Sequence, residues 1–174
     1  RGSRPRDDAH MHEIRQIGPG DWATFRDVRL AALTDSPSAF AVTLADALAR
    51  SDADWEAMVA ERCASGVSAT WVAHAGGLSV GVVAAFDDPA SDEVELVSMW
   101  VAPAARGAGL ARRLVDAVTT WAGEREAPRV SLWVTRGNDV AQRMYEAAGF
   151  VVTGDHRALP SDPCKDEIRM TRSV

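Results

Sequence analysis

The chain predicts one mixed α/β domain: a single sheet, mostly antiparallel, flanked by helices and holding a parallel βαβ pair at its centre. Three observations predict it. Two segments of strand character meet at Gly76-Gly77, the composition of a tight hairpin. The apolar run VELVSMWV (94–101) precedes an amphipathic helical stretch and a second apolar run, RVSLWV (129–134), which is the pattern of a parallel crossover. A length of 174 residues suits one domain, able to bury about 70% of its unfolded surface, and no internal repeat or linker divides it.

The elements follow in order. HEIRQI (12–17) alternates as a first strand and GPGD turns the chain. Asp21 is placed to cap the next helix, whose Trp22, Phe25, Val28, Ala32 and Leu33 recur at three- and four-residue spacing. After the break at TDSPSAF, a second helix is expected over about 38–49. Ser51 with Asp54 resembles the capping box of a third, over about 52–64. Strands are expected at 68–75, 78–86 and 94–101, with DDPASD as a loop. A helix over about 109–122 buries Leu110, Leu114, Val115, Val118 and Trp121; the strand 129–134 follows it. Asn138 caps a short helix over 139–148, Gly149 stops it, and FVVTGDH and EIRMT close the sheet.

Composition narrows the function. A net charge of −6 argues against a general nucleic-acid binder and fits a cationic partner better. Cys63 and Cys164 show neither CxxC nor metal-type spacing, so a reduced, cytoplasmic setting is expected and no metal. No apolar run approaches 18 residues and none resembles an export signal, so no membrane association is expected. Residues 1–11 are expected to be vector-derived or a disordered tail, with the natural start at Met11 and the domain over 12–174. His10 and His12 in that region are assigned no function.

The chemistry centres on VAPAARGAGLARRL (101–114), where a strand hands over to a helix. A helix N-terminus offers about four unpaired N–H groups and roughly half a positive charge, and so attracts phosphate. Gly107, Ala108, Gly109 and Ala111 keep side chains out of the way, and Arg106 adds a cation. No Gly-Lys-Ser/Thr follows, so this is not a Walker loop. Arg112 stands where a dinucleotide fingerprint needs its third glycine. A tight turn with no ligand is the structural alternative.

A wider pattern is more specific. Arg106-Gly-Ala-Gly109-Leu-Ala111 follows Val101-Ala-Pro103 and precedes Asn138-x-x-Ala141-x-x-x-Tyr145-x-x-x-Gly149-Phe150. The chain thereby resembles the GNAT superfamily of acyl-CoA-dependent N-acyltransferases over about 12–172, most clearly over 94–150. The resemblance implies that backbone N–H groups of Arg106, Gly107, Ala108, Gly109, Leu110 and Ala111 hold the pyrophosphate of acetyl-CoA. It implies that the backbone of Met99, Trp100 and Val101 pairs with the pantetheine arm, and that the central strand splays from its neighbour, often at a bulge. Asn138 and Ala141 match positions beside the cofactor arm, and Tyr145 matches a tyrosine aimed at the thioester sulfur.

Direct transfer to an amine needs a base, an oxyanion donor and an acid. Tyr145, protonated at neutral pH, suits the acid, and a backbone N–H of strand 94–101 the oxyanion. The resemblance implies Glu95 as the first choice of base, since six residues before Val101 some family members keep such a Glu; Glu93 is the reserve, and other members use water alone. Strand alternation places Glu95 on one face with Val97, Met99 and Val101, away from Leu96 and Trp100. The structural alternatives are a core tyrosine and a solvated sheet carboxylate. His74, His156, Trp55, Trp71, Trp100 and Trp133 are read as structural, with His156 or Trp133 able to border the acceptor site. Arg112, Arg113, Arg136 and Arg143 are read as solvated charges, with a contact to the cofactor's 3′-phosphate as the alternative.

The implied function is an acetyl-CoA-dependent N-acetyltransferase acting on a small-molecule amine, with no covalent acetyl-enzyme. A protein or peptide N-terminal acetyltransferase is the alternative enzyme, and a non-catalytic acyl-CoA-binding module the alternative of another class. A homodimer is compatible with the family, but no feature of the sequence demands one. The acceptor pocket, built from 21–64 and 150–172, carries no readable code.

Overall fold

In the computed structural model, which describes residues 12–88 and 91–174, seven strands build one sheet. They are β1 (Glu13–Gln16), β2 (Ser68–Ala75), β3 (Leu78–Asp88), β4 (Glu93–Val101), β5 (Arg129–Thr135), β6 (Val151–Leu159) and β7 (Asp162–Ser173). Their order is β1-β2-β3-β4-β5-β7-β6, and only β4 and β5 run parallel. The expected mixed sheet with a central parallel pair is therefore present. Gly76 and Gly77 both take positive φ in a two-residue turn that sets Ala75 against Leu78. The expected tail at 1–11 lies outside the described residues, as do two residues of the DDPASD loop.

Five helices, α1 (Trp22–Asp35), α2 (Leu44–Leu48), α3 (Asp52–Ser65), α4 (Leu110–Glu124) and α5 (Asp139–Ala147), divide the core into two layers. On one face α4 seats Leu110, Leu114, Val115, Val118 and Trp121, all buried, against Val83 and Ala85 of β3, Val94 and Leu96 of β4, and Val130 and Leu132 of β5. Each such side chain contributes about 1.5–3 kcal/mol by leaving water. On the other face Phe25, Val28, Ala32 and Leu33 of α1 join Trp55 and Val59 of α3 over Val72, Val82 and Trp100. The apolar faces read from helical spacing are the buried ones. Among the described residues no helix is long and apolar enough to cross a membrane.

Two local expectations are corrected. The helix expected over 38–49 is only α2, preceded by a 3-10 turn at Pro37–Ala39. Phe40 is extended and buried, and Thr43 caps α2 by accepting from the Asp46 N–H at 3.1 Å, so burial of one ring and one cap break the stretch. Asp21 precedes α1 without capping it through its side chain. Its carboxylate instead accepts from Arg15 Nη1 and Nη2 at 2.8 and 2.7 Å and from the Gly18 N–H at 2.8 Å. That tie anchors β1 to the entrance of α1. Ser51 with Asp54, Asn138 and Gly149 behave as their positions foretold.

The Arg15 guanidinium, then the Gly18 N–H, hold the Asp21 carboxyl down to about 2. Its folded value lies below its unfolded one, so its contribution to stability is complete above about pH 4 and is lost as pH falls towards 2. Urea unfolding of Asp21→Asn is expected to show lower stability than the wild type at pH 6, with the gap closing as pH drops through that window. A gap independent of pH would contradict the ion pair.

Candidate active site

The site begins where two strands part. β4 and β5 are in register only at Glu93 with Arg129, Val94 with Val130 and Glu95 with Ser131. Beyond them β5 continues against β7 as far as Thr135, while β4 continues against β3. β4 also carries a bulge: the register shifts between Val82 opposite Trp100 and Ala84 opposite Val97, and Ser98 takes φ 58°. A non-glycine residue at positive φ within a strand stores strain of about 1–2 kcal/mol. A slot opens there, lined among others by Leu96, Ser98, Met99, Trp133, Asn138 and Tyr145.

The bulge corrects the alternation expected for β4. Val94 and Leu96 face α4, but Met99 and Val101 also pack on the α4 side, and Trp100 packs with α1 and α3. Glu95, cross-strand from Phe86, therefore keeps company with Val97 and not with Met99 or Val101. The inserted residue reverses the faces between 97 and 99. The same geometry sorts the three backbone positions expected at the arm. The Ala102 N–H donates to Val80 O at 2.8 Å, which by alternation turns the Trp100 backbone towards β3 and those of Met99 and Val101 towards the slot.

Past β4 the chain makes a short turn at Pro103–Ala105 and enters α4. Gly107 and Gly109 have φ of 82° and 74°, and a Cβ built on either meets nothing within 4 Å. The glycines thus allow the backbone path and leave the space in front of it open. The first turn of α4 is closed by the Arg113 N–H donating to Gly109 O at 3.2 Å. The N–H groups from Gly107 to Arg112 have no backbone acceptor among the described residues, which is an anion site facing outward. Arg106 differs from its neighbours. Its N–H donates to Pro103 O at 3.3 Å, its Nε to Val101 O at 2.9 Å, and its guanidinium pairs with Asp35. It braces the loop rather than pointing a free cation at a ligand.

Asp35, at the end of α1, also accepts from Trp100 Nε1 at 2.9 Å. The Trp100 indole, then the Ser36 hydroxyl, with Arg106 contributing, lower its pKa. One carboxylate thus ties α1, β4 and the loop before α4. It was not among the residues singled out from the sequence, because the tie spans about 70 residues and no local pattern encodes it.

The far wall of the slot comes from α5. Asn138 Oδ1 caps the helix by accepting from the Ala141 N–H at 3.2 Å, and the residue lines the slot. One turn on, Tyr145 is 6% exposed and stands edge-on to Phe150, with ring centroids 5.7 Å apart. Burial pushes its phenol well above the ordinary value, so it is neutral throughout the physiological range. Trp133 lines the slot under the Arg157 guanidinium, 4.2 Å from the ring centroid, whereas His156 is exposed on β6.

The two carboxylates considered as bases part company. Glu93 is buried and held between Arg129 Nε, at 2.9 Å, and Arg169. That is a structural clamp joining β4, β5 and β7, and it removes Glu93 as a reserve base. Glu95 is half-buried in the last register pair, opposite Ser131, about 7 Å along the strand from Val97. Cys63 and Cys164 are exposed and neither lines the slot. Arg112 is spent on Asp116 and the Ala147 carbonyl.

Relatives share this architecture. The model described as "Acetyltransferase (GNAT) family" matches residues 31–150. Human N-acetylaspartate synthetase is 37% identical over 95 residues, which are 53% of this chain and 32% of that protein. The chain thus spans about a third of the length of the curated relatives it matches. An acetyltransferase of the GNAT family from Streptococcus pneumoniae superposes with a TM-score of 0.79, covering 94% of this chain and 99% of its own, at 20% identity. Spermidine N-acetyltransferase from Vibrio cholerae, solved with CoA and spermine, gives 0.74 over 93% and 95% at 18% identity. At those identities the two structures speak for the fold.

Replacing Asp35 by Ala leaves Trp100 Nε1 and Arg106 Nη2 without their acceptor. The expected loss is about 1–3 kcal/mol in urea unfolding, with added mobility in the loop before α4. An unchanged midpoint would mean that the loop is braced elsewhere.

Proposed function

The chain belongs to the GNAT acetyltransferase family, and from that premise we propose that it moves an acetyl group from acetyl-CoA directly to the amine of a small molecule. The observation that carries the proposal is the continuity of one path: a strand edge freed by the parting of β4 and β5 leads straight to an open helix N-terminus. A linear cosubstrate with a pyrophosphate at one end and a thioester at the other fits that path. The N–H groups of Gly107 to Ala111 would hold the pyrophosphate. Met99 and Val101 would pair with the arm along the slot edge, with Asn138 and the small Ala141 on the opposite wall. The thioester supplies an activated acyl carbon.

The chain's own groups then manage the charges. The amine must lose a proton before it can bond to the acyl carbon, and Glu95 is the carboxylate proposed to take it, directly or through water. The Met99 N–H, turned towards the slot, would stabilise the charge that builds on the acyl oxygen. As the carbon–sulfur bond breaks, Tyr145 Oη gives its proton to the departing sulfur. Its raised pKa means that the phenol is protonated, and so holds a proton to give, at neutral pH. The exposed positions of Cys63 and Cys164 outside the slot support transfer without a covalent acetyl-enzyme. The name of the human relative, N-acetylaspartate synthetase, supports a small-molecule acceptor over a protein N-terminus.

Release of thiol from acetyl-CoA in the presence of amino acids, polyamines, aminoglycosides and N-terminal peptides tests the proposal; release that no amine accelerates would overturn it. Tyr145→Phe is expected to lower kcat by about 10²-fold while leaving CoA affinity intact, and undiminished turnover would remove the tyrosine from the mechanism. Gly109→Glu, which puts bulk and negative charge in the open cradle, is expected to weaken acetyl-CoA binding in calorimetry. Unchanged affinity would contradict the assignment of the pyrophosphate.

A further inference from the structure

We propose that the acceptor amine carries a carboxylate, as an amino acid does, and that Arg29, with Arg62 and Arg50, forms the site that receives it. The proposal rests on the transferase reading above for what happens to the amine, though not for the binding of the carboxylate. A small pocket lies between α1, α2 and α3, and its floor includes Ser98, the bulge residue of β4 that also lines the slot. The acceptor side therefore meets the proposed thioester position at one residue. Three arginines line this pocket, one from α1, one from α3 and one from the turn between α2 and α3.

None of the three forms an ion pair among the described residues, although the chain carries more acidic than basic side chains. Arg29 Nη1 is buried and makes no hydrogen bond. The Arg29 guanidinium lies 4.4 Å from the centroid of the Phe40 ring, and Arg62 sits 5.7 and 5.4 Å from those of Phe25 and Phe86. Arg50 Nη1 donates to the Met58 sulfur at 3.7 Å, and its guanidinium lies 5.8 Å from the centroid of the Trp55 ring. Neighbouring Arg26, by contrast, is paired with Asp27 and Asp52. Burial, and then the charge of Arg62, lower the Arg29 pKa to about 10, so it remains a cation at neutral pH.

A partly buried cation with an unpaired, buried nitrogen and another arginine close by opposes folding unless something arrives to neutralise it. A planar carboxylate matches the guanidinium fork, and the aromatic walls exclude water that would weaken the pair. The local field is thus the reverse of the net charge of −6, and it disfavours a polyamine, which would bring further positive charge against three arginines. With the carboxylate held at Arg29, the amine is left to face Ser98 and the slot, on the sheet face that also bears Glu95.

The test compares amino acids with their C-terminal amides and with spermidine as acceptors, in the wild type, Arg29→Gln and Arg29→Lys. The expected wild-type result is a KM for the acids about 30-fold or more below that for the amides. Arg29→Gln is expected to erase that difference by raising KM for the acids alone, with kcat and CoA affinity little changed and Arg29→Lys recovering part of the loss. A merely structural arginine would instead lower stability and shift acids and amides alike. Calorimetric titration with N-acetyl amino acids and succinate reads the pocket without any transfer, and their binding is expected to be lost in Arg29→Gln. Amides or spermidine used as well as the acids, or carboxylate binding absent from the wild type or unaffected by Arg29→Gln, would overturn the proposal. Carboxylate binding that persists without thiol release would leave the pocket standing and bring down the transferase reading.

Discussion

β4 can pair with β5 for only three residues, and nearly everything of interest in the molecule depends on that limit. A parallel pair closed along its length would bury its backbone groups in a ladder and leave no edge for a ligand. The bulge at Ser98 accompanies the parting and adds a second effect by exchanging the faces of the strand. Before the bulge, Val94 and Leu96 lock β4 onto α4, while Glu95 looks to the other side. After it, Met99 and Val101 take over the α4 side and Trp100 packs beneath α1. One inserted residue therefore puts a slot, a carboxylate and an aromatic anchor each where one periodic strand could not.

An opened sheet needs bracing, and the braces are ionic. Glu93 clamps β4 to β5 and β7 through Arg129 and Arg169 just before the strands separate. Asp35 does the equivalent beyond the slot, gathering Trp100 and Arg106 onto the end of α1. The polar groups that remain unspent mark where ligands are to be sought. They are the N–H groups ahead of α4, the edge of β4 past its last register pair with β5, and Nη1 of Arg29. The slot and the arginine-lined pocket share Ser98.

Legibility in the sequence followed the range of the interaction. The faces of α1 and α4, the Gly76-Gly77 turn, the Ser51 and Asn138 caps and the open loop at Gly107 and Gly109 rest on neighbours within a few residues, and each could be read. The motif from Asn138 to Tyr145 lies on a single helix, so its spacing alone placed the tyrosine one turn beyond Ala141. The Ser98 bulge has no local signature, since serine at positive φ is held by the strands on either side; the face expected for Glu95 failed for that reason. Arg106 and Glu93 carried the right charges for a site, but distant partners consume them. Arg29, Arg50 and Arg62 come from three elements, and only their convergence on a pocket lined by no acidic residue makes them notable.

Amide hydrogen exchange with and without CoA tests the central claim most directly, because it reports on the backbone groups that the parted strands and open loop leave unpaired. Protection is expected to rise at Gly107 to Ala111 and at Met99 and Val101, with Trp100, already paired to β3, unchanged. An unaltered exchange pattern at those amides on saturation with CoA, or protection confined to another surface, would contradict the account.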